Sequence, residues 1–190
     1  MNKIMPSFAH YQQLLQRRLQ ELDVPLRQSL REIQKLPFHP EIDLAQFEFM
    51  HEDSANVFPI LLLTKRRSEG IDRYTHSQSY DYNRSTFCDR TKPQYYSGAK
   101  YLLEEPLVDE PLLRYYFPEE IDDSLLGQCD EHFLNAVSQW FTQIWQEEIG
   151  ADFPIAAYFL MMCDDADDVA YDLRQARQVR WTDMYGENDV

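Results

Sequence analysis

Apolar residues recur along this chain first with a helical period and then with a strand period. Phe8, Tyr11, Leu15, Leu19 and Leu22 are spaced by three and four behind Ser7, a capping residue, so they predict an amphipathic helix with Gln12, Gln13, Gln16, Arg17 and Arg18 facing water. Asp23 and Pro25 then punctuate the pattern. Pro25 suits a first turn, so a second helix is expected over residues 24–35, with Leu26, Leu30, Ile33 and Leu36 on its apolar side and Pro37 and Pro40 ending it. Residues 1–36 thus read as a helical N-terminal element whose basic side chains could lie against an acidic surface.

From Ile42 the period becomes two. Ile42 and Leu44 alternate with Asp43, Phe47 and Phe49 alternate with Glu48, and the offset between the two sets predicts a bulge at Ala45-Gln46. Residues 57–63 are almost continuously apolar and read as a buried strand paired with the previous one, with Pro59 near its start. Residues 65–100 differ in kind: Ile71 is the one large aliphatic residue among Tyr74, Tyr80, Tyr82, Phe87, Tyr95, Tyr96 and five arginines. This Tyr/Arg-rich segment is expected to be loop-rich, with short strands around 80–87 and 99–103.

Asp109-Glu110-Pro111 opens a short helix through Leu113 and Tyr116. The clearest helix covers about 130–148, where Phe133, Val137, Trp140, Phe141, Ile144 and Trp145 form one broad stripe and Gly150 follows the end. A buried strand over 155–163 comes next. Residues 169–181 alternate like a closing hairpin, although a helical period fits them nearly as well. The sum is a single α+β domain over residues 1–190, with an N-terminal helix pair, an antiparallel sheet and one central amphipathic helix packed on it.

Charge changes this picture more than composition does. Asp and Glu number 33 against 18 Lys and Arg, a net charge of −15. Residues 1–40 carry six basic and three acidic side chains, residues 41–100 eight and nine, and residues 101–190 four and twenty-one. The last ninety residues are therefore an acidic half. A surplus of this sign opposes general binding to nucleic acid or to anionic membranes, both of which need excess Lys and Arg. Cys88, Cys129 and Cys163 are odd in number and outside any CxxC spacing, which suits free thiols in a reducing compartment, so a cytoplasmic location is expected. The longest apolar run, 153–163, is about half the length a membrane-spanning helix needs.

Motifs for chemistry are sparse. The five glycines are scattered, which excludes dinucleotide and phosphate-cradling loops and the nucleophile elbow. His51-Glu52 begins a zinc-protease pattern, but Ala55 stands where the second histidine belongs. Asp164, Asp165, Asp167 and Asp168 have magnesium-gathering spacing without the calcium-loop glycine, and a turn or cap accounts for them more simply. No metal and no cofactor are expected.

Two functional expectations follow. In the first, a non-enzymatic acidic domain binds a basic protein, in the manner of an immunity protein or an inhibitor of a toxin nuclease. Asp164, Asp165, Asp167, Asp168 and Asp172 would supply charge, and Tyr80 and Tyr82 apolar anchors. In the second, a small hydrolase or transferase holds an anionic substrate on Arg73, Arg84 and Arg90 with His76 as acid and base. A structural subunit of an assembly is a third, carried by Trp181, Met184 and Tyr185 as an exposed apolar patch.

Overall fold

A computed structural model describes residues 7–51, 57–65, 78–89, 91–116, 122–160 and 169–180. Two long helices, α1 (Phe8–Ile33) and α3 (Asp123–Glu148), lie beside an eight-stranded sheet, and a short helix α2 (Glu110–Leu113) leads into a 3-10 turn at Arg114–Tyr116. The fold is α+β.

The strands are β1 (Leu44–His51), β2 (Val57–Lys65), β3 (Gln78–Asp81), β4 (Thr86–Asp89), β5 (Lys100–Tyr101), β6 (Ala156–Leu160), β7 (Val169–Asp172) and β8 (Arg177–Arg180). Their order is β4-β3-β2-β1-β6-β7-β8, with β5 also on β2. The sheet is mixed rather than wholly antiparallel, because β1 and β6 are parallel, with Leu44 opposite Ala156 and Phe47 opposite Phe159. Parallel neighbours need a long crossover, and α3 lies within it. The closing segment is a hairpin, β7 with β8, and not a helix.

Three further sequence expectations change. First, α1 is one helix that continues through Pro25, not a pair. Its buried stripe, Tyr11, Leu15, Leu19, Leu22, Leu26, Leu30 and Ile33, runs past the proline without a break, and Pro25 itself is exposed. Burial of that stripe outweighs one lost helical hydrogen bond. Second, β1 pairs with β2 in unbroken register from Leu44↔Thr64 to His51↔Val57, so no bulge exists at Ala45-Gln46. The apparent offset arises because both faces of β1 are buried: Ala45, Phe47 and Phe49 join the helix-side core, while Leu44 packs with Leu160 and Ala170 on the other face. Third, residues 80–87 are not one strand but the tip of the β3–β4 hairpin.

Pro59 sits inside β2 without harming its ladder to β1. The N–H and C=O of a strand residue point the same way, and the Pro59 carbonyl accepts the Leu102 N–H at 3.0 Å on the side away from β1. Gly98 ends a 3-10 turn, Pro93–Gly98, that lies against β3; a Cβ there would stand 2.6 Å from the Tyr80 carbonyl oxygen.

The core is an aromatic seam between α3 and the central strands. Phe141 stacks on Phe159 at 4.7 Å and meets Phe47 at 5.5 Å, while Trp145 meets Phe47 at 5.0 Å and Phe153 at 5.1 Å. Asp122 starts α3 earlier than its apolar period indicates, by accepting the Leu125 N–H at 2.8 Å as a cap. Phe141→Ala should lower unfolding free energy by about 3–5 kcal/mol, the usual cost of emptying a buried aromatic site, read from the urea midpoint at unchanged slope. A loss below about 1 kcal/mol would mean that the seam does not bear the fold.

Candidate functional site

The residues singled out from sequence do not converge. Asp164, Asp165, Asp167, Asp168, Arg73, His76 and Arg90 lie outside the described residues, as do Trp181, Met184 and Tyr185. Asp172 is buried, and its Oδ1 accepts the N–H groups of Arg174 at 3.0 Å and Gln175 at 2.9 Å, so the carboxylate builds the β7–β8 turn. Asp81 does the same in the β3–β4 turn, accepting from the Asn83 and Arg84 N–H groups. Tyr80 is buried, stacked on His39 at 4.9 Å, and Tyr82 is partly exposed with its hydroxyl on the Pro37 carbonyl. Arg84 is exposed and its Nε lies 3.5 Å from Asp81 Oδ2. The anionic-substrate expectation therefore keeps one described arginine, at a hairpin tip. Among the described residues, no group of three or more His, Cys, Asp or Glu side chains could hold a metal ion, and no helix is long and apolar enough to cross a membrane.

The basic face of α1 is largely consumed inside the molecule. Arg27 bonds Glu148 at 2.9 Å and Glu147 at 2.5 Å, Arg31 bonds Glu148 at 2.6 Å, and Asp23 accepts the Trp140 indole N–H at 2.7 Å. Glu147 and Glu148 are thereby the clasp between two parallel helices. Hydrogen bonds from Arg31 and Arg27 hold the Glu148 carboxyl below its ordinary 4.5, and those from Gln143 and Arg27 do the same for Glu147.

A second polar cluster joins the N-terminal part of α1 to α3 and the turn at Arg114–Tyr116. His10 Nδ1 lies 2.8 Å from the Tyr115 hydroxyl, the Tyr11 and Tyr116 hydroxyls are 2.7 Å apart, and the His132 ring meets Phe8 and Tyr11 edge-on. Cys129 is fully buried. Burial raises Tyr11 and Tyr116 well above the usual phenol value and pushes the Cys129 thiol up to about 11. These groups are all held neutral at pH 7, the reverse of an activated nucleophile.

A groove of about 560 Å³ lies between α1 and residues 102–105. Arg18, Leu22, Pro25, Ser29 and Glu32 line it from α1 at a helical repeat, on another side of the helix from Arg27 and Arg31. Leu102, Leu103, Glu104 and Glu105 line it from across. With Glu21, which also pairs with Arg17 at 3.6 Å, the lining carries four carboxylates and one guanidinium. Arg18 is buried rather than displayed to water. Its Nη1 lies 3.0 Å from Glu105 and 3.5 Å from Glu21, its Nη2 donates to the Pro106 carbonyl at 2.6 Å, and its Nε has no hydrogen-bond partner. Val24, at the edge, is 71% exposed.

No known family model, curated protein or solved structure matches the chain significantly. The groove must be read from its own chemistry. Sequence reasoning missed it because its walls are about eighty positions apart. The available signal was an acidic pair, Glu104-Glu105, following two leucines that a solvated loop does not need.

Two stability measurements test these assignments. Asp172→Ala should cost about 1–3 kcal/mol in thermal unfolding by stranding two turn N–H groups, whereas a carboxylate kept for a partner would leave stability unchanged. The pH profile of stability should be a dome. Glu147 and Glu148 contribute above their unfolded value of 4.5, and that contribution is lost as pH falls through their lower folded values. Cys129 and the buried tyrosines deprotonate first in the unfolded chain, so stability also falls as pH rises beyond the thiol's ordinary 9.0. Urea midpoints across this range should show Glu148→Gln flattening the acid limb; an acid limb identical to the wild type would contradict the clasp.

Proposed function

We propose that the chain is a binding domain for a basic protein, acting through the groove between α1 and residues 102–105. The observation that carries this reading is the groove itself: four glutamates spread along its length, three of them towards the end that holds the buried Arg18, over a floor that includes Leu22, Leu102 and Leu103. Exposed carboxylates speed encounter with a cationic partner and set its orientation, while the apolar floor receives the aliphatic stems of its lysines and arginines. The internal pairing of Arg27 and Arg31 supports it further. Those cations are occupied by Glu147 and Glu148, so they do not offset the acidic rim. Blocking a basic surface is how an inhibitor of a nuclease would act, and a small acidic domain without an activated nucleophile among its described residues suits that role.

A cationic probe tests the reading without a known partner. A nona-arginine peptide titrated against the full chain should bind at low salt and weaken at least about tenfold between about 50 and about 300 mM salt. Glu32→Gln combined with Glu104→Gln should weaken it several-fold, while Asp122→Asn with Asp123→Asn, at the start of α3, should not. Equal affinity in the groove variant and the wild type would remove the groove from the binding surface.

A further inference from the structure

The groove has a direction. Arg18 contacts Glu105, and the Ser29 hydroxyl donates to the Leu102 carbonyl at 2.5 Å, so residues 102–105 run antiparallel to α1. Glu21, Glu104 and Glu105 therefore gather towards one end, and Glu32 stands beyond the other. Between them lie Val24, Pro25, Gln28, Ser29, Leu102 and Leu103, a stretch with no charge of its own in which Val24 and Pro25 are the exposed apolar residues.

Two features of the backbone and of Arg18 add hydrogen-bonding groups to this layout. Pro25 carries no N–H, which leaves the Glu21 carbonyl without its helical donor on the stripe that lines the groove. Arg18, with its side chain 7% exposed, keeps an Nε–H without an acceptor at the same end. An unmade bond to a buried charged group is costly, and an occupant that supplies a carbonyl oxygen relieves it. The site thus offers acceptors for cations at both ends, one main-chain acceptor, and one donor suited to a main-chain carbonyl.

Resting on the basic-partner reading above, we propose that the occupant is an extended segment of the partner in which two Lys or Arg residues stand four positions apart with an apolar residue midway. Glu21 and Glu32 are eleven helical positions apart, about 16 Å along the axis. Alternate residues of an extended chain face one way, and positions i and i+4 are about 13–14 Å apart, a span that flexible basic side chains extend to both carboxylate ends. The side chain at i+2 then falls on the exposed apolar residues Val24 and Pro25. A helical occupant would instead need cations about eleven residues apart to span the same distance. The segment's main chain meets the Glu21 carbonyl, and a shift of the Arg18 side chain brings its buried Nε–H to the same segment.

Three nine-residue peptides with Gly/Ser flanks separate this from general charge attraction: Lys-Ser-Leu-Ser-Lys, its rearrangement Lys-Lys-Leu-Ser-Ser, and Lys-Ser-Ser-Ser-Lys. Fluorescence anisotropy against the full chain near physiological salt should give the first an affinity at least about fivefold tighter than either control, since spacing and the apolar contact each contribute. Glu32→Gln should abolish the preference for correct spacing, and Val24→Ser, at an exposed position, should reduce the preference for leucine. Equal affinities for the three peptides would overturn the spacing proposal. If those equal affinities still fall with added salt and with the Glu32→Gln change, the basic-partner reading stands. If none of the peptides binds even at low salt, and nona-arginine does not either, both readings fall.

Discussion

The packing of Phe141 and Trp145 onto Phe47 and Phe159 is the contact on which the rest of the molecule depends. It fixes α3 over the boundary between β1 and β6, the one parallel pairing among the described strands. Antiparallel strands are added outward from that pair, β2 to β4 on one side and β7 to β8 on the other. With α3 in place, α1 is held parallel to it by the Asp23–Trp140 bond and the arginine clasp. The groove is a consequence of that placement. One side of α1 is committed to α3 and the core, so the side bearing Arg18 and Glu32 meets residues 102–105 and leaves a cleft between them.

Charge follows the same logic. The basic surplus of the first forty residues does not stand as a separate patch, because Arg27 and Arg31 are bound to the end of α3 and Arg18 is buried beside Glu105. An ion pair that is used to join elements contributes little to the external field. What remains outside is weighted towards acid, and the net charge of −15 is expressed at the surface more fully than counting by segment implies.

Much of the fold was legible where one local signal dominated. The stripe of α3, the continuous apolarity of β2 and the Asp109 cap of α2 each corresponded to an element. Legibility failed where a tertiary contact overrode a local rule. Pro25 normally stops a helix, but the buried leucines on both sides of it hold α1 together. Leu44 and Phe47 looked out of phase because sequence cannot show that both faces of β1 are covered. The candidate site was the least legible of all. Asp172 has the residue type of a contact carboxylate and the geometry of a turn, whereas Glu104 and Glu105 face solvent and also line a groove whose other wall is distant in sequence.

The two outer hairpins share one construction. Asp81 and Asp172 each stand opposite a residue five positions later, each binds two N–H groups of its own turn, and Ser85 and Ala176 both take a left-handed backbone near φ 52–53°. Their register is thus written into six neighbouring residues at each margin. The central β1–β6 pair joins positions 112 apart, from Leu44 to Ala156. Closing so long a loop carries the larger entropic cost, so the margins of this sheet have the quick, local route to order and its middle has the slow one. Folding here would proceed from the rims inward, and the rate at which the chain reaches its native state would be set by how soon α3 brings β6 to β1.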